Sequence, residues 1–201
     1  MHIAQTTVVD RPQIEQLLDT AFGPDRQQKS AYRLREGSRP VEALCFTVHD
    51  GAQLCASIEF WPIALVAEAD GAATPALLLG PIAVAESCRG RGIGGLLIHH
   101  GLERARTLGH KLVLLVGDPE YYERFGFTNA PTGGWRMPGP VEQRRVMARL
   151  LDDTLALPAA AAISKPAAAT SAPLAHPGEA EAGSHQGPQQ QGGHDGRLAH
   201  A

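Results

Sequence analysis

Leu79-Gly80-Pro81-Ile82-Ala83-Val84-Ala85-Glu86-Ser87-Cys88-Arg89-Gly90-Arg91-Gly92-Ile93-Gly94-Gly95-Leu96-Leu97-Ile98 is the stretch that decides the fold. It opens as an aliphatic run suited to a buried strand, extending back to Leu77. Pro81 removes a ladder donor from that run, which predicts a bulge or a strand edge. A loop dense in glycine and arginine follows. From Gly92 to Leu108, Ile93, Leu96, Leu97, His100 and Leu102 recur at helical spacing, and Gly109 stops the helix. Glycines let the backbone N–H groups approach a ligand closely. A helix N-terminus adds about half a positive charge, so the loop suits a phosphate or pyrophosphate. Arg89 and Arg91 reinforce that character.

Leu112 to Val116 is a second buried strand, followed by a short helix from Pro119 to Arg124 that Gly126 stops. Upstream, Gln5 to Val9 is a strand candidate. Asp10 is placed to cap a helix with Pro12 in its first turn and Ile14, Leu17, Leu18 and Ala21 on one face. Asp25 to Arg35 reads as a second, more polar helix. Leu44–Val48 and Leu54–Trp61 are strands joined through Asp50-Gly51, a hairpin signal. Arg144 to Leu151 is a final strand. The element order is that of an α/β domain built on a strand–loop–helix–strand unit.

The 201 residues are 43% hydrophobic and 19% charged, as expected of one globular domain with a core. A net charge of -3 supplies no basic field for nucleic acid. No apolar run reaches the ~20 residues of a membrane span, and no secretory signal is visible, so a cytoplasmic protein is expected. Cys45, Cys55 and Cys88 lack metal or redox spacing and are expected to be reduced thiols. Composition changes at Pro158 to Ala, Pro, Gly, Gln and His. Such a segment buries too little apolar surface to offset its ordering entropy, so the domain is assigned to 1–157 and a disordered tail to 158–201.

Two nucleotide readings of the loop compete. Gly90-x-Gly92-x-x-Gly95 with Asp118 downstream satisfies a dinucleotide fingerprint. However, Ala85 to Arg89 separate it from the strand, most strands precede it, and too little chain follows it. Arg89-x-x-Gly92-x-Gly94 instead resembles the signature of the GNAT acetyltransferase superfamily. The run from Leu79 to Phe127, with Phe22-Gly-Pro-Asp-Arg and Tyr32-Arg-Leu-Arg-Glu-Gly, is similar to its YhbS-like bacterial branch.

That resemblance implies a mixed, mostly antiparallel sheet of six or seven strands, splayed between two central parallel strands, with helices on both faces. It implies acetyl-CoA as cosubstrate and an amine as acceptor, with direct transfer in a ternary complex that needs no metal. Homodimers are frequent in the family. The pantetheine arm would run along Ile82, Ala83 and Val84, and the pyrophosphate would sit on Arg89, Gly90, Arg91, Gly92, Ile93 and Gly94. Tyr122, four residues before Gly126-Phe127, would contact the cofactor and protonate the departing thiolate, while Tyr121 packs on the strand. Gly117-Asp118 stands where many members have Asn. The catalytic base is open between Glu59, Asp118 and an ordered water, with Glu59 taken beside Tyr122 as the catalytic pair. Trp135 and Arg136 are expected in the acceptor wall. A non-catalytic acyl-CoA-binding module is the alternative.

Overall fold

The computed structural model describes residues 2–166. Eight strands form one sheet: β1 (Ile3–Gln5), β2 (Phe46–Asp50), β3 (Gln53–Ala67), β4 (Ala73–Val84), β5 (Leu112–Val116), β6 (Gly134–Arg136), β7 (Val146–Leu150) and β8 (Ala160–Ser164). Four helices accompany them: α1 (Arg11–Phe22), α2 (Ser30–Arg33), α3 (Ile93–Thr107) and α4 (Pro119–Tyr122). The main strand order is β1-β2-β3-β4-β5-β7, and β8 pairs with the end of β3 and with β6. Central pairing is antiparallel except for β4 with β5, which are parallel. The dinucleotide alternative fails here, because a doubly wound sheet is built from parallel strands. No described helix is long and apolar enough to cross a membrane.

Alternation along the strands sorts the core into two faces. Leu77, Leu79, Val113 and Leu115 face α3, where Ile93, Leu97, Ile98, Leu102 and Ala105 are buried. Leu78, Leu112 and Leu114 face Leu34, Ile63, Trp135 and Ile163 on the other side. α1 adds Ile14, Leu17 and Leu18 over Leu54 and Ala83. Gly101 leaves the space that the Phe60 ring occupies.

β4 positions the site. Its register with β3 runs Ile58↔Ile82 and then Phe60↔Leu79, so Gly80-Pro81 stands opposite Glu59 alone. This is the bulge that Pro81 predicts, and the Gly80–Pro81 peptide is cis. Beside β5, only Leu77↔Val113 and Leu78↔Leu114 pair. Beyond that register the two strands diverge, which is the expected splay.

Several expectations need correction. The sheet has eight strands rather than six or seven. The domain does not end at residue 157: β8 lies inside the segment assigned to the tail, and Ala161 and Ile163 are buried. A short alanine-rich strand carries little local signal, and its pairing with β3 and β6 supplies the order instead. The remainder of the assigned tail, 167–201, lies outside the described residues. Asp10 stands at the N-cap of α1, but its side chain makes no capping hydrogen bond there. Its carboxylate accepts from the Thr7 N–H and hydroxyl, both at 2.7 Å, and faces His49 at 3.2 Å. Asp25–Arg35 is not one helix but a 3-10 stretch, Pro24–Gln28, followed by α2.

The cysteines are not all thiols either. Cys55 and Cys88 are joined as a disulfide, their Cα atoms 5.7 Å apart, and Cys45 alone is free and buried. The Ala85 N–H donates to the Cys55 carbonyl, and a 3-10 turn over Glu86–Cys88 then folds Cys88 back above β3. A separation of 33 residues hid that proximity from the sequence.

Candidate active site

Two clefts follow one another along β4. The first, about 540 Å³, occupies the splay, with Leu79 to Ile82 on one side and Leu115 and Val116 on the other. Tyr122 lines it, as do α2 and the segment from Pro140 to Arg145. The second, about 800 Å³, begins at Val84 and extends around the glycine–arginine loop to the first turns of α3. The structure thus brings the expected loop residues Arg89, Gly90, Arg91, Gly92, Ile93 and Gly94 into one cleft with Val84; Ile82 lines the first cleft, whereas Ala83 lines neither and is buried against α1.

The second cleft has the electrostatics of a phosphate site. Gly92 ends the loop at φ 73°, a left-handed conformation that opens α3 with its first N–H groups free of helical partners. Arg89, Arg91 and Arg124 line the cleft and no carboxylate does. Arg91 also reaches Asp50 at 3.3 Å on the surface. Arg124 was not singled out by the sequence. It stacks on the Tyr121 ring at 4.1 Å and donates its Nε–H to the Tyr121 carbonyl at 3.0 Å. The signal available for it was spacing alone, a cation three residues after Tyr121 on a short helix. Leu96 is exposed on the cleft wall rather than buried on the apolar face of α3.

The two tyrosines divide between the clefts, their rings 4.9 Å apart and edge-on. Tyr122 lies in the splay. Gly117 makes that possible, because a Cβ there would overlap Cε2 of the Tyr122 ring. Burial, reinforced by Tyr121 and Asp118, pushes the Tyr122 phenol up to about 12. Tyr121 does not pack away on the strand as expected. It walls the second cleft, its hydroxyl 3.3 Å from where a Cβ on Gly94 would stand.

Other expected site residues lie elsewhere. Glu59 is only 4% exposed, not on an open strand face, and its carboxylate is ion-paired with Arg11 of α1. It lines neither cleft. Asp118 faces Arg145 at 3.3 Å and is largely exposed. Trp135 does not form an acceptor wall: it is 1% exposed, and its indole N–H donates to the Pro158 carbonyl at 2.8 Å. Arg136 pairs with Glu68 at 3.0 Å. Of that loop, Pro140 reaches the first cleft, held by the Ser30 hydroxyl, which donates to its carbonyl.

Residues 2–130 match the model of the acetyltransferase (GNAT) domain. The chain belongs to the GNAT acetyltransferase family. It is 32% identical over 148 residues to the N-acetyltransferase YhbS of Escherichia coli (strain K12), covering 73% of this chain and 86% of that protein. A crystal structure of Escherichia coli YhbS in complex with CoA superposes with a TM-score of 0.66 at 26% identity, covering 82% of this chain and 88% of that one. A GNAT family acetyltransferase from Brucella melitensis, in complex with acetyl-CoA, gives a TM-score of 0.52 at 27% identity over 73% of this chain and 94% of that one. The signature Arg89-x-x-Gly92-x-Gly94 lies within the matched domain.

Proposed function

We propose that this GNAT acetyltransferase transfers the acetyl group of acetyl-CoA directly to a primary amine. The placement of two clefts one after the other along β4 carries the reading. One end is a carboxylate-free arginine cleft at a helix N-terminus, suited to a pyrophosphate. The other is a splay in which β4 loses its β5 partner after Leu78, leaving an open edge for an extended arm along Ile82 to Val84. The solved relatives described above bind CoA or acetyl-CoA. When bound, acetyl-CoA would supply the activated acyl group.

Tyr122 is the group on this chain suited to the departing sulfur. With its phenol near 12 it carries its proton across the physiological range. Complete transfer to a thiolate with a pKa around 8.5 would run uphill, so its contribution is a hydrogen bond that strengthens as charge builds on sulfur. Glu59 takes no proton-transfer step in this reading, because its carboxylate is held by Arg11 outside both clefts. Thermal shift and calorimetry with acetyl-CoA test the reading. Binding should stabilise the fold by about 2.7 kcal/mol at a hundredfold excess over the dissociation constant, and amine-dependent release of free CoA should follow. No response to CoA or acetyl-CoA would refute it.

A further inference from the structure

Two arginines are buried on the α1–α2 side of the sheet, and they are served very differently. Arg26, 4% exposed, donates to Asp19 at 2.7 Å, to Glu15, and to the Tyr32 hydroxyl at 2.8 Å. Arg35, 8% exposed, has no ion pair and no side-chain hydrogen bond among the described residues, and its Nε is buried without a partner. Aromatic rings hold it instead: Tyr32 at 4.5 Å, itself fixed by Arg26, and Trp61 at 5.9 Å. Its tip approaches the β4 bulge, where a Cβ built on Gly80 would lie 3.4 Å from Nη2. That bulge and Arg35 both line the splay cleft with Tyr122.

A buried guanidinium without an anion costs free energy unless something in use completes it. Burial lowers Arg35 to about 10, with Tyr32 and Glu59 offsetting only part of that effect. Glu59 is already engaged by Arg11. The charged lining of the same cleft is Lys29, Arg35 and Arg145 against a single acid, Glu142. An excess of cations disfavours a polyamine there. A planar fork of donors beside the reacting end favours a carboxylate, which it can bind bidentately.

We propose that Arg35 is a specificity-determining residue that binds a carboxylate on the acceptor, so that the acceptor is an amine of the amino-acid class. The proposal rests on reading the splay cleft as the acceptor end of an acetyl-CoA-dependent enzyme.

The test uses the full chain and matched acceptor pairs: leucine and isoamylamine, methionine and 3-(methylthio)propylamine, tyrosine and tyramine, lysine and cadaverine. Turnover is measured for each, and the CoA-loaded protein is assayed for thermal stabilisation by the corresponding N-acetyl products. The carboxylate member of at least one pair should be preferred by ~10–10²-fold, the usual worth of a charge-assisted hydrogen bond. Arg35→Met should erase that preference while sparing the decarboxylated partner, and Arg35→Lys should restore part of it. If Arg35→Met does not fold, the pairwise comparison on the natural protein still decides the matter. A protein that binds acetyl-CoA normally yet shows no carboxylate preference in turnover or stabilisation, a complete lack of response included, overturns the proposal and leaves the parent reading standing. An equal loss on both members of a pair in Arg35→Met overturns it as well. Failure to bind acetyl-CoA would bring down both.

Discussion

Tyr122 and Glu59 show how far a residue type can be read before its surroundings are known. The Gly126-Phe127 pair marks Tyr122 in the sequence, and the fold places it in the splay, with room made by Gly117. Tyr122→Phe should leave folding and acetyl-CoA affinity intact and slow the chemical step by ~10²–10³-fold, the range for losing one positioned donor. Single-turnover rates check this, and an unchanged rate would remove Tyr122 from the mechanism. Its raised pKa has a stability consequence. The folded value near 12 lies above an unfolded value near 10. Its contribution is therefore fully present below about pH 10 and is lost as pH climbs towards 12. Tyr122→Phe should lack that component of alkaline destabilisation in denaturation curves across the window. Glu59 teaches the reverse lesson: a carboxylate beside apolar neighbours reads as a candidate base, yet a cation 48 residues away engages it. Glu59→Gln should lower stability by about 1–3 kcal/mol, since it leaves a half-exposed Arg11 without its charged partner. The rate's dependence on pH should not change, and loss of a limb in that profile would restore Glu59 as the base.

Among the elements, the strand–loop–helix unit was the most legible, because each of its parts obeys a local rule. Aliphatic residues make the strand, glycine permits the turn, and helical periodicity begins where the loop ends. Gly92 at φ 73° is the position where those rules meet. Gly92→Val forces a β-branched residue into left-handed backbone at a cost of ~1–3 kcal/mol and should weaken acetyl-CoA binding at least tenfold. Calorimetry on the folded variant measures this, and wild-type affinity would contradict the loop's assignment to the phosphates. The neighbouring α4 and the 3-10 turn after it, Glu123–Phe125, were found by their Pro119 and Gly126 boundaries, but the roles of their residues were not. Tyr121 of α4 and Arg124 of the turn after it face the second cleft only because that segment packs beside α3. A four-residue helix has too few turns for a periodic pattern to declare a face.

For the whole molecule, the chain's end carries the sharpest disagreement between composition and structure. Trp135 is buried in the core, and its indole N–H is satisfied by the Pro158 carbonyl. β8 extends the edge of β3 beyond β2 and buries Ile163. Ending the chain after Leu157 should therefore cost on the order of 3–5 kcal/mol, from one buried aliphatic side chain and one orphaned indole donor. A chain ended after Pro166 keeps both of these contacts and is the reference. Equal melting temperatures for the two would deny β8 a place in the core. By itself the sequence determined the features that local chemistry enforces: the α/β order, the bulge at Pro81 and the glycine–arginine loop that opens α3. Tertiary structure alone decided the features that depend on which distant residues meet. It paired Cys55 with Cys88 and Glu59 with Arg11, buried Trp135 and enlisted an alanine-rich strand. It also left Arg35 beside the splay with no anion among the described residues. A propensity or a turn is set by neighbours a few positions away, whereas a partner for a charge is set by the register of strands tens of residues apart.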